Sequence, residues 1–293
     1  MQHRARLAIA ALATTCFFAA HAAASVLYAA TSHAAGPGSE ASGRLYTVNT
    51  VNAKSRLVGP IRGDATALAI DGLAVHPKTG LLYGITSRSS AEPSLITIDP
   101  RTAHASLIGP LGVRGTDIHF DDEGTLYIWI PEGNRLGIVN LATGRVSAVA
   151  ATSLHEATSG ALAINSRGIA LVPSSTTHTV IEQLDANTGD PIGALALSDA
   201  SLVHALDSLA LTKSGRLMAV NEPLPGQPQR ELVTIDTETG GVSRVGALPD
   251  EVDAIAFDER ATPGGSKRAL LVIFVAIFIA LHVVGALRWR NTR

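Results

Sequence analysis

Cysteine is all but missing. Cys16 is the only one in 293 residues, so the chain can close no internal disulfide, and removal of a leader containing it leaves no thiol nucleophile. An excess of one charge is missing too: 23 basic residues face 25 acidic ones, scattered rather than in blocks, with no electrostatic footprint for nucleic acid. Reaction-specific motifs are absent. No G-x-S-x-G or G-x-G-x-x-G occurs, HEATS at 155–159 lacks the second histidine of a zincin, and His76, His119, His155 and His204 show no metal-ligand spacing. Between residues 44 and 260 there is no long run with 3.6-residue periodicity, which excludes helical repeat folds. With 46% apolar residues the chain still has ample material for a core.

What fills that region is a set of short, β-prone runs punctuated by Gly, Pro, Ser and Thr. Residues 71–111 contain four such runs and read as one four-stranded meander. Two motifs then recur. The first is an apolar strand after a small or acidic residue: DGLAV (71–75), TDIHF (116–120), GALAI (160–164), DSLAL (207–211) and DAIAF (253–257). Its third residue falls at Leu73, Ile118, Leu162, Leu209 and Ile255, in steps of 45, 44, 47 and 46. The second is a strand ending in Asp or Asn before a turn: LYTVN (45–49), LITID (95–99), LGIVN (136–140), IEQLD (181–185) and LVTID (232–236). A period near 45 with four strands per unit is that of propeller blades, because one small twisted sheet cannot bury both faces alone.

The chain enters this pattern with the last two strands of a unit and leaves it with a lone first strand, which is what ring closure requires. The predicted fold is all-β, a five-bladed β-propeller over residues 44–260. Its shared closing blade has three strands, unless the lead-in or residues 259–262 supply a fourth. The alternation of L-[IV]-x-[IVL]-[DN]-x-x-T-G, x-x-x-x-G-x-L and D-G-L-A-x-x-P-x-T-G-x-L-Y-G resembles bacterial secreted propellers of the YVTN and quinoprotein-dehydrogenase-like type. Those motifs are turn and packing residues, so the resemblance implies a fold and no active site. It implies no quinone cofactor either, since Trp129 is the only tryptophan of the ring.

Asp71, Asp207 and Asp253 share one phase of the repeat, at the start of the innermost strand, with Asp117 one position out of register. At a channel mouth, carboxylates from several blades can converge on a polar ligand or a cation, calcium being the ion that suits them; alternatively each accepts backbone N–H bonds and locks the ring. His119 alternates with Ile118 and Phe120 and is placed to line the channel. Asp99, Asn140, Asp185 and Asp236 read as turn formers. Asp121, Asp122 and Glu123 lack the alternating ligand spacing of a calcium loop and also read as a turn. Tyr83, Tyr127 and Trp129 belong to second strands, where they stack on the next blade.

The ends carry address information. Arg4 and Arg6, an apolar run at 7–20 and the small residues after it have the order of a secretory signal. Residues 1–35 are assigned to it, with cleavage between 22 and 35; an uncleaved N-terminal anchor is the alternative. Residues 36–43 form a Gly/Ser lead-in. After a linker at 261–268, residues 269–287 contain no Asp, Glu, Lys or Arg. As a helix these 19 residues span about 28 Å, close to the roughly 30 Å of bilayer hydrocarbon. Arg288, Arg290 and Arg293 outnumber Lys267 and Arg268, which places the tail at 288–293 in the cytoplasm. The short GGS tract before the helix also resembles a GlyGly-CTERM sorting tail. The expected protein is a binding or interaction module on the outer side of a bacterial cytoplasmic membrane, held by one C-terminal helix, with an unidentified protein or small-molecule partner. The alternative is a metal-dependent, lactonase-like or esterase-like hydrolase using the aspartate ring.

Overall fold

The computed structural model describes residues 26–32, 43–63, 67–87, 90–152, 154, 160–174, 180–222 and 229–260. They form twenty strands in five four-stranded antiparallel sheets. Blade 1 holds β20 (Val252–Asp258), β1 (Val26–Thr31), β2 (Arg44–Val48) and β3 (Ser55–Pro60), in that order from the axis outward. Blade 2 runs from β4 (Ile70–Val75) through β5 (Leu82–Thr86) and β6 (Ser94–Ile98) to β7 (Ala105–Pro110). Blade 3 contains β8 (Asp117–Phe120), β9 (Leu126–Ile130), β10 (Arg135–Val139) and β11 (Val146–Ala151). Blade 4 contains β12 (Ala163–Ile164), β13 (Ile169–Pro173), β14 (Val180–Asp185) and β15 (Pro191–Ala196). Blade 5 contains β16 (Leu206–Leu211), β17 (Leu217–Asn221), β18 (Glu231–Ile235) and β19 (Val242–Ala247).

The five-bladed ring is therefore as expected, and its core explains why. The buried apolar residues fall into five clusters, each between two neighbouring blades. Second strands covered on both faces, such as LYGIT and LYIWI, are buried at every position, whereas the outer strands β3, β7 and β19 alternate toward solvent. Tyr83 meets Phe120 of the next blade edge-on at 5.4 Å, and Trp129 is fully buried against blade 4.

The turn motif also has a mechanism. The side-chain oxygens of Asn49, Asn140, Asp185 and Asp236 each accept N–H bonds from the residues two and three positions on, and Asp99 accepts that of Arg101. The residue four positions on has positive φ: Ala53, Ala103, Gly144, Gly189 and Gly240. Gly240 has no substitute, because a Cβ there would run into the Ala196 carbonyl of the preceding blade.

Two boundaries differ from the sequence reading. The closing blade has four strands, and the missing one is β1, from the stretch assigned to the signal. Leu27 pairs with both Phe257 and Val48, and Ala29 with both Ile255 and Tyr46. VLYAAT is apolar because it lies between two strands and two blades, and apolarity of that kind looks like the tail of an export signal. The propeller thus starts at residue 26 rather than 44. The remaining leader residues 1–25, most of the lead-in, the linker, the expected membrane helix at 269–287 and the basic tail lie outside the described residues. Among the described residues no helix is long and apolar enough to cross a membrane.

Because β1 fills both edges of the gap between β20 and β2, its removal should open the ring. A chain beginning at Ser25 is expected to unfold in one cooperative denaturant transition. A chain beginning at Gly36 should have a much lower midpoint or no transition, and equal midpoints for the two would show that closure does not need this strand.

Candidate functional site

The inner strands β4, β8, β12, β16 and β20 surround the axis, and their free edges present N–H groups that no sheet partner takes. Aligned on Leu73, Ile118, Leu162, Leu209 and Ile255, the preceding position reads Gly72, Asp117, Ala161, Ser208 and Ala254. The following position reads Ala74, His119, Ala163, Ala210 and Ala256. Four blades thus offer small residues at both levels and blade 3 alone offers large polar ones, which fill the space the others leave.

Asp117 is fully buried at the centre of this arrangement. Its Oδ1 accepts the Ile118 N–H at 2.9 Å, and its Oδ2 accepts those of Leu162 at 3.1 Å and Leu209 at 3.3 Å. The Ser208 hydroxyl donates to the same carboxylate, while Ser208 Oγ accepts the Ile255 N–H at 3.1 Å. One carboxylate therefore gathers blades 3, 4 and 5 directly and blade 1 through Ser208. Gly72 is the fifth neighbour, and a Cβ there would press on the Asp117 backbone at 3.0 Å. Burial pushes the Asp117 carboxyl well above its usual range, and the four donors pull it back in part.

His119 repeats the pattern one level along. Its Nδ1 accepts the Ile164 N–H at 3.2 Å, so the ring proton belongs on Nε2. Burial lowers its pKa to about 4, which leaves the imidazole neutral at neutral pH. It forms part of the wall of an axial cavity of about 250 Å³ that opens where the inner strands end. Ala74, Ala210, Ala256, Phe120 and Phe257 supply apolar wall, and Asp122, Ser166 and Lys213 stand at the rim. Three further rim groups are engaged by backbone, two in local turns and Glu259 across to the next blade. Asp121 Oδ1 accepts the N–H groups of residues 123, 124 and 125, Asp258 accepts that of Arg260, and Glu259 accepts that of Lys213.

Asp71, Asp207 and Asp253 lie at the opposite end of their strands, away from this cavity. Arg230 brings two of them together: its Nη1 binds Asp207 Oδ2 and, at 3.0 Å, Asp253 Oδ1. The guanidinium so ties blade 5 to blade 1. Burial, the neighbouring Asp253 charge and Glu222 raise the Asp207 pKa to about 7, against the pull of Arg230. Asp71 is buried in the same phase on blade 2. In that phase blade 3 has Thr116, whose Oγ1 donates to Gly160 O of blade 4 at 2.7 Å. The five residues singled out from sequence thus divide three ways, into an axial carboxylate, a cavity-wall imidazole and a carboxylate set at the far end. Among the described residues no group of three or more His, Cys, Asp or Glu side chains is placed to hold a metal ion.

Two participants were not visible in the sequence reading. Ser208 could have been found by shifting the alignment one residue from the aspartate phase. Arg230 follows PLPGQPQ outside any repeat motif, so nothing local marks it.

No protein-family model and no curated protein matches this sequence. Solved structures do match. Among them is hydrazine synthase of Kuenenia stuttgartiensis, 19% identical over 60% of this chain with a TM-score of 0.42; the chain spans about half (49%) of that one. A protein of unknown function from Bacteroides caccae is 15% identical over 73% of this chain and 82% of its own, with a TM-score of 0.46. These are likenesses of fold.

Asp117→Ala leaves several buried donors without an acceptor, and each such loss costs about 1 to 3 kcal/mol. The variant is expected to lose at least about 3 kcal/mol in denaturant unfolding, with Asp117→Asn between it and the parent. Asp207 predicts a pH effect. Its folded pKa of about 7 lies above the ordinary 3.8, so the folded state holds the proton more tightly and stability falls as pH rises from about 4 to about 7. Asp207→Asn should flatten that fall, and an unchanged slope in a pH series of melting curves would contradict the assignment.

Proposed function

We propose that this protein is a non-catalytic binding module, held at the outer side of a bacterial cytoplasmic membrane by residues 269–287, that takes a small ligand in its axial cavity. The cavity carries this reading. At about 250 Å³ it falls just below the roughly 300–1,000 Å³ of ordinary ligand pockets, so it suits a small molecule or the end of a larger one. Apolar walls, a neutral histidine and a few polar rim groups are the usual composition of such a site. The hydrolase alternative is not favoured, because Asp117 is engaged by protein N–H groups and Asp207 and Asp253 by Arg230.

The membrane reading is supported by the length and apolarity of 269–287 and by the basic residues after it. Export is supported by the charged, apolar, small-residue order of the N-terminus. The Asp/Asn-x-x-T-G turns and their spacing support placing the repeat with the YVTN and quinoprotein-like propellers at the level of fold. Cleavage after Ala22 or Ala24 is the processing compatible with these assignments, since a later cut removes β1.

The cavity reading is tested by thermal shift with a library of small apolar molecules bearing one hydrogen-bonding head. A compound at one hundred times its Kd should stabilise the parent by about 2.7 kcal/mol. Ala256→Met, which narrows the cavity with a flexible apolar chain, should lose most of that shift. Hits that stabilise both proteins equally would remove the cavity as the site.

A further inference from the structure

The two ends of the ring leave it side by side. Val26, the first residue of β1, pairs with Asp258, the last of β20. Asp258, Glu259 and Arg260 line the axial cavity, so both exits lie at its rim. We propose that the cavity-bearing face is the bilayer-facing surface of the propeller, so that the axial cavity opens toward lipid. This rests on the membrane attachment proposed above and adds the orientation.

The reach of the chain decides the matter. Eight residues, 261–268, separate Arg260 from the apolar segment, and fully extended they span at most about 26–29 Å. To turn the ring over, the same linker would cross three inter-strand spacings of about 4.8 Å and then run down a six-residue strand at about 3.3 Å per residue, roughly 34 Å in all. The linker is too short for that path. An N-terminal anchor would be shorter still, because the five residues 21–25 that separate the apolar run from β1 span at most about 18 Å. Attachment at either end therefore excludes a ring turned over, with the opposite face on the bilayer.

The surface at the exits fits the assignment. Val51, in the turn between β2 and β3, is 80% exposed, and Leu81, in the turn between β4 and β5, is 51% exposed. Both lie on the cavity face, on the blade that holds the exits and on the next one, where Arg260 reaches the Lys78 carbonyl. Lys78 and Lys213 alternate with Asp122 and Glu259 on that face, so no field of one sign opposes close approach to lipid.

The test uses the full chain with Cys16→Ser, so that an introduced thiol is the only one. A fluorophore is placed at Asn187→Cys, in the β14–β15 turn of the cavity face, or at Glu132→Cys, in the β9–β10 turn of the opposite face. Each labelled protein is reconstituted into phosphatidylcholine vesicles containing a head-group quencher lipid. Quenching at position 187 is expected to exceed that at 132 at least twofold. Flotation with the vesicles but equal or stronger quenching at 132 would overturn the orientation alone. Failure to float with vesicles would remove the membrane attachment and the orientation together, and the cavity assay above would still stand on its own result.

Discussion

A single buried carboxylate is the constraint from which the centre of this ring follows. Inner strands of a propeller have one edge without a partner, and the N–H groups buried along that edge need acceptors. Asp117 answers that need for blades 3, 4 and 5 directly and, through Ser208, for blade 1. The cost of burying this polar carboxyl is offset because several donors converge on it. The same requirement explains why the other blades carry Gly72, Ala161, Ser208 and Ala254 at that level: a second large side chain would push the carboxylate off the axis. It also explains why the cavity ends there, since strands close enough to share one carboxylate leave no channel between them.

Closure is the second constraint, and three devices serve it. β1 pairs with β20 on one edge and with β2 on the other. Arg230 ties blade 5 to blade 1 at the end where the inner strands begin. The turn at Ala53 packs on Gly246 of blade 5, as the Gly240 turn packs on Ala196 of blade 4. An interface between the last and first blades is where a ring opens most readily, because no covalent chain links the two except through β20. Hydrophobic burial alone is non-directional, and the strand pairing and the ion pair fix which edges meet.

The two faces differ in consequence. One has short turns capped by Asn or Asp, the cavity and both chain exits. The other has the Asp207, Arg230 and Asp253 set, where two carboxylates share one guanidinium and burial keeps the Asp207 carboxyl up near neutral pH. Strand direction alone puts the end of β20 and the start of β1 on the first face and the carboxylate and guanidinium set on the second.

Repeat length, the number of strands in a full repeat, turn chemistry and blade count were all readable from the order of residues, because each depends on local period: a step near 45, four apolar runs per step, and Asp or Asn two or three positions before the N–H groups it caps. Three things were not. VLYAAT reads as leader until β20 and β2 are seen on either side of it, since a run of apolar residues does not state what covers it. Asp117 stands one residue out of the aspartate phase, and that offset was visible. What it means was not, because it turns the side chain from the blade end into the axis, where donors from segments 45 and 92 residues away converge. Arg230 belongs to no motif, and only the closing of the ring sets it between Asp207 and Asp253. Local period determined the architecture, and convergence of distant backbone on one point, which no local pattern encodes, was decided by the tertiary structure.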